Sequence, residues 1–124
     1  MHKRQKIGEF AENLAMDFLI EKGDKIVQKN YRKPWGEIDI ITERGDKIVF
    51  VEVKANSQDF VVEDFSPEYR VDDQKLEKII KTAKMYLESN KEKKWQVDII
   101  SVTFIRSEKK AKIMHFKNVV GDWG

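Results

Sequence analysis

Apolar residues recur at helical spacing through the start of the chain. Ile7, Phe10, Ala11, Leu14, Ala15, Phe18 and Leu19 form one stripe, spaced as residues on one side of an α-helix are. This predicts a helix over residues 7–20, stopped by Gly23, because glycine readily takes the left-handed turn that ends helices. Residues 25–30 read as a short strand near a sheet edge. Residues 31–36 form a basic, aromatic connection, since Pro34 cannot donate to a strand ladder. Two further runs, 36–41 and 48–54, flank a polar turn that contains Gly45. The second run is almost wholly β-branched or aromatic, the mark of a strand covered on both faces.

Beyond residue 72 the pattern returns to a helical period. Asp72 or Asp73 can cap a helix running to about Asn90, with Leu76, Ile79, Ile80, Ala83, Tyr86 and Leu87 on its buried face. Lys78, Lys81 and Lys84 then read as its solvated face. Residues 95–105 and 112–116 read as strands separated by a polar turn. Within 55–72, residues 59–62 suit a short strand and Ser66-Pro67 a turn. The order is α-β-β-β-α-β-β. A helix before and after the hairpin can cover both faces of a mixed sheet, and the second helix suits the crossover between parallel strands.

Four charged residues interrupt the two runs: Glu37 and Asp39 in the first, Glu52 and Lys54 in the second. Residues two apart on a strand share a face. A two-residue turn at Gly45-Asp46, with glycine first, pairs Arg44 with Lys47. That register puts Asp39 opposite Glu52 and Glu37 opposite Lys54. Opposed side chains have Cβ atoms about 5 Å apart, and two carboxylates so close repel unless a cation or proton lies between them. Asp39 and Glu52 are hard oxygen ligands suited to Mg²⁺ or Mn²⁺, with a backbone carbonyl such as that of Val53 as a further donor. Lys54 can orient water or stabilise developing negative charge, and Glu37 can pair with Lys54 or take a second ion. The alternative is an exposed sheet face whose charges form cross-strand ion pairs; the apolar flanks argue against it.

The 124 residues suit a single domain, 1–124, with 40% hydrophobic residues to fill one core. Charged residues make up 37%, yet the net charge is only +2, so nucleic-acid binding must rest on a local patch. Lys29, Arg32 and Lys33, interleaved with Tyr31 and Trp35, are one such patch; such mixtures hold phosphates and stack on bases, and a solvated loop with one buried aromatic is the alternative. The chain has no cysteine, which excludes disulfides and thiolate metal sites. No apolar run reaches membrane-spanning length and no apolar signal core follows the basic N-terminus, so a cytoplasmic protein is expected. His2 and His115 are isolated and are expected to ligate nothing, and no small organic cofactor is expected.

Asp39 followed by Glu52-Val53-Lys54 resembles the Asp…Glu-x-Lys signature of the restriction-endonuclease-like superfamily. A longer pattern is more specific: Gly8-Glu9, Asn30-Tyr31-Arg32, residues 36–41, residues 49–54, then Val71, Lys75, Ala83, Tyr86-Leu87 and residues 97–100. It resembles the YraN-like family of bacterial proteins over nearly the whole chain. The resemblance implies the restriction-endonuclease-like α/β fold, a mixed central sheet flanked by helices, shared with archaeal Holliday-junction resolvases. It implies that Asp39 and Glu52 bind the metal and that Lys54 assists catalysis. A further active-site glutamate on the first helix would fall on Glu9; an acid favoured by the helix dipole is the alternative. Lys75 matches a lysine of the family and can reach the site or a phosphate. The expected activity is metal-dependent phosphodiester hydrolysis of branched or damaged DNA. A homodimer would suit paired cuts. The alternative is a non-catalytic nucleic-acid-binding module that keeps the fold, motivated by the near-neutral charge and by Ala55-Asn56 where relatives carry an arginine after the lysine. A third class is a partner-binding protein that uses residues 55–72 and Trp123.

Overall fold

The computed structural model describes residues 3–58, 73–89 and 93–121. The elements are α1 (Lys3–Glu21), β1 (Lys25–Lys33), β2 (Gly36–Arg44), β3 (Lys47–Gln58), α2 (Asp73–Tyr86), β4 (Lys94–Ile105) and β5 (Lys110–Phe116). The strands form one sheet in the order β1-β2-β3-β4-β5. Only β3 and β4 run parallel, and α2 lies between them in sequence, as a parallel connection requires. This is the mixed α/β architecture and element order that the periodicities predict.

Local chemistry explains the element ends. Gly23 has φ +105° after α1, and the amides of Gly23 and Asp24 donate to Ile20 and Leu19 carbonyls, which satisfies the last turn. Gly45 takes φ +63° and Arg44 pairs with Lys47, so the β2–β3 turn has the predicted two-residue form. Some bounds differ from the sequence reading. α1 begins earlier, at Lys3. β1 continues to Lys33, because its ladder with β2 holds as far as Lys33 and Gly36 and leaves only Pro34 and Trp35 for the turn. α2 ends at Tyr86 and passes into a short 3₁₀ turn, Leu87–Ser89. The strand expected at 59–62, the turn at 66–67, His2 and Trp123 lie outside the described residues.

Among the described residues, each face of the sheet is covered by one helix. Ala11, Ala15 and Leu19 of α1 pack with Ile40, Val49, Val51, Ile100 and Val102. Ile79 and Ala83 of α2, with Leu87, pack with Ile38, Ile41, Phe50 and Val97. Phe10, expected in the α1 stripe, is instead 57% exposed and stacks on Phe104.

One irregularity bears on the site. Ile38 and Ile41 belong to the α2-side core, whereas Ile40 belongs to the α1 side. Strict alternation would put Ile38 with Ile40, so the pleat breaks between them, at Asp39. The partner strand breaks at the matching place. Asn30 falls between the pairs Lys29–Ile40 and Tyr31–Ile38 and has φ +53°, a conformation that asparagine tolerates better than most residues.

At the far end of α1, a buried ionic network joins distant parts of the chain. Arg44 donates to Asp24 through Nε and Nη2 at 2.8 and 2.9 Å, and its Nη1 lies 3.0 Å from Asp98. Thr42 Oγ1 also donates to Asp24. Asp98 further accepts from Gln96 Nε2 and Asn118 N, and His115 Nε2 lies 2.7 Å from it. Burial would raise the Asp98 carboxyl, but His115, the Asn118 amide, Gln96 and Arg44 outweigh it and hold the group below its ordinary value.

Candidate metal and phosphodiester site

The β2–β3 ladder runs from Arg44–Lys47 to Ile40–Val51 and is not continued past that pair. The next residue on β2 is Asp39, at the break in the pleat. Its carboxylate accepts from the Val53 amide at 2.8 Å, so a side chain takes up a backbone donor where the two strands part. This holds Asp39 toward Glu52, and the two carboxyls are within hydrogen-bond reach of each other. Both residues are buried, Asp39 at 7% and Glu52 at 5% exposure.

Two carboxylates this close cannot both ionise cheaply. Burial, the hydrogen bond to Glu52 and the charge of Glu52 push the Asp39 carboxyl up to about 9. The pair therefore holds one proton near neutral pH. Lys75 of α2 stands on the other member, its Nζ 2.5 Å from Glu52 Oε2. Asp39 is the carboxylic acid of the pair.

The pair opens into a cleft of about 490 Å³, walled by Trp35, Glu37, Val53, Lys75 and Lys78. The donor set fits a hard divalent cation of the Mg²⁺ type. It offers two convergent acids that share a proton in the ion's place, in a cleft roomy enough for the water that such ions keep. Among the described residues, no group of three or more His, Cys, Asp or Glu side chains is arranged to hold a metal, so water and substrate oxygens would complete the shell.

The other expected residues divide. Lys54 is half-buried and two residues beyond Glu52 on β3, hence on the same side of the strand. Glu37 was expected opposite Lys54, but the β2–β3 ladder is not continued that far, and Glu37 pairs with Arg32 across the β1–β2 hairpin at 2.8 Å. Glu9 is exposed. The acid of α1 that feels the site is Glu12, one turn further on. It is half-buried, and burial first, then Glu37 and more weakly Glu52, raise its carboxyl, against the opposing pull of Lys29 and Arg32.

Arg32 is thus engaged by Glu37, and Lys33 lies over the Tyr31 ring at 5.2 Å. Of the four expected nucleic-acid-binding residues, Lys75 alone lines the acid cleft. Lys78, read from sequence as solvated, also lines it, while Lys81 covers the Trp35 ring at 4.5 Å.

No helix among the described residues is long and apolar enough to cross a membrane.

Comparison with known proteins places the chain. The profile of "Uncharacterised protein family UPF0102" matches residues 11–102. A UPF0102 protein of Fervidobacterium nodosum is 42% identical over 123 residues, covering 96% of this chain and 85% of its own. One from Thermotoga maritima is 44% identical, covering 75% of this chain and 82% of its own. One from Campylobacter hominis is 35% identical, covering 94% and 96%. The matched span contains β1 to β3, α2 and all but the end of β4, and with them both acids of the cleft and the lysines that face them: the chain belongs to the UPF0102 family, the YraN-like proteins.

Proposed function

We propose that this protein is a divalent-metal-dependent endonuclease that hydrolyses phosphodiester bonds in branched or damaged DNA. The observation that carries this reading is the buried Asp39–Glu52 pair, which shares one proton at the floor of a lysine-walled cleft. A structural ion pair would be closed by its own partners. This one lines a cleft instead.

Asp39 and Glu52 would hold Mg²⁺ or Mn²⁺, with the Val53 carbonyl as a neighbouring oxygen. A divalent ion there supplies charge neutralisation as the phosphodiester is cleaved. Lys54 would steady the attacking water or the negative charge developing on the phosphoryl oxygens. Lys75 would leave Glu52 as the cation enters and turn to a phosphate. Glu12 and Glu37 flank the entrance as supporting acids. DNA is the expected partner, and a homodimer would let two sites make paired cuts.

The test is cleavage of four-way, nicked and single-stranded DNA with Mg²⁺ or Mn²⁺, with Asp39→Ala as control. Metal-dependent cutting by wild type alone supports the reading. Silence on every substrate overturns it.

A second reading, a non-catalytic nucleic-acid-binding module, draws on the two-carboxylate donor set and the near-neutral net charge. It predicts salt-sensitive binding without turnover.

A further inference from the structure

The wall of the cleft opposite the two acids is basic, and it is fixed in place. A Cβ on Gly36 would lie 3.4 Å from Thr82 Oγ1 and 3.5 Å from Lys78 Cβ. The β1–β2 turn therefore lies flat against α2, with Trp35 beside Lys78 in the same wall. Lys81, one turn further along α2, sits over the Trp35 ring. Lys78 in the cleft wall and Lys81 on the ring thus flank Trp35, two cations on one stretch of α2.

The remaining charges near the cleft do not serve that wall. Lys75 is spent on Glu52, and Arg32 on Glu37. Glu37 also lines the cleft, and Arg32 offsets it. Lysines three apart on a helix are separated by about 4.5 Å along its axis, short of the spacing of successive phosphates, so Lys78 and Lys81 would share one phosphate rather than take two.

We propose that Trp35, Lys78 and Lys81 form a second subsite that binds one backbone phosphate of the nucleic-acid strand, next to the phosphate held at Asp39 and Glu52. The subsite rests on the reading above for its ligand, a phosphodiester strand. It assigns binding roles to residues that the sequence pattern leaves to a solvated helix face. The two ammonium groups hold the phosphate oxygens beside the Trp35 ring, and the strand is thereby set in register with the acids.

The experiment is binding of fluorescently labelled DNA by the metal-free full chain, so no turnover is needed. The oligonucleotides carry one neutral methylphosphonate linkage, moved stepwise along the strand. With wild type, one position near the junction should lose about tenfold in affinity. With Lys78→Gln or Lys81→Gln, overall affinity should fall several-fold, the salt slope should drop by about one unit, and the penalty at that position should vanish. Trp35→Ala removes the ring that Lys81 covers and should erase part of the penalty. Circular dichroism should stay as in wild type for both lysine variants, as should Mn²⁺ affinity for Lys81→Gln, whose lysine lies outside the acid cleft; this separates lost binding from lost folding. A penalty that survives Lys78→Gln and Lys81→Gln, or an even response along the strand, overturns the subsite while leaving the nuclease reading intact. Normal binding with no cleavage by wild type overturns the nuclease reading alone. Absence of any DNA binding overturns both. Equal competition by inorganic phosphate and by DNA of equal phosphate content would also overturn the subsite, since it would reveal a site for the free anion.

Discussion

Lys75 sets its ammonium 2.5 Å from Glu52, the same carboxylate to which Asp39 is hydrogen-bonded. On the proposed function, a divalent ion entering the site would displace this lysine. Removing it should ease metal entry. Because Lys75 is about half exposed, the pair is worth no more than about 1 kcal/mol. Lys75→Gln should therefore tighten Mn²⁺ binding by up to about fivefold in calorimetry while weakening DNA binding. Unchanged or looser Mn²⁺ binding would contradict the displacement.

The shared proton makes a linked prediction. Mn²⁺ binding requires Asp39 to ionise, so at pH 7 it should release close to one proton. Titrations in buffers of different ionisation enthalpy would count it, and a count near zero would mean that Asp39 is already charged. Metal affinity should rise as pH increases toward 9, because the Asp39 carboxyl has been pushed up to about 9.

Stability of the metal-free protein should move the other way. A carboxyl raised in the fold contributes stability that is complete at low pH and is lost as pH climbs through the raised value. Asp98 is held low, so its contribution is present above the ordinary carboxylate range and is lost on acidification. The two opposed slopes predict a stability maximum on the mildly acidic side of neutral. Asp39→Asn keeps an acceptor for Val53 N–H and can donate to Glu52. It should stabilise the metal-free protein at pH 7 by on the order of 2 kcal/mol and flatten the alkaline slope, while abolishing metal binding. Thermal melts from pH 4 to 9 would check this; a destabilised Asp39→Asn protein would refute it.

Arg44→Met should unfold the molecule more readily without touching the site. It leaves Asp24 and Asp98 buried with their main cation gone, at a cost of about 3–5 kcal/mol. Chemical denaturation should show the loss, and Mn²⁺ affinity of the folded fraction should hold.

Much of the architecture was written in short-range pattern. The hairpin register followed from one glycine and a two-residue turn; it carries the strands to within one pair of Asp39 and Glu52, and the Val53 amide completes the approach. What escaped was set by distant partners. The α1 stripe reads the same with its centre on Phe10 or on Ala11, yet packing buries Ala11 and exposes Phe10. That small rotation favours Glu12 over Glu9 as the acid near the site. The paired break at Asn30 and Asp39 follows no alternation rule, so Glu37 could not be seen to turn toward Arg32. Asp98 is a charge in an otherwise apolar strand, and Arg44, which answers it, comes from the other half of the chain. The segment 59–72, the hardest to read in sequence, lies outside the described residues.

The outermost strand has a bearing on assembly. β1 carries Lys25, Lys29, Arg32 and Lys33 on a border whose line is bent by a left-handed asparagine. A crooked, cationic rim is a poor template for a second copy to zip onto. Two copies, if paired as the proposed function expects, would meet elsewhere.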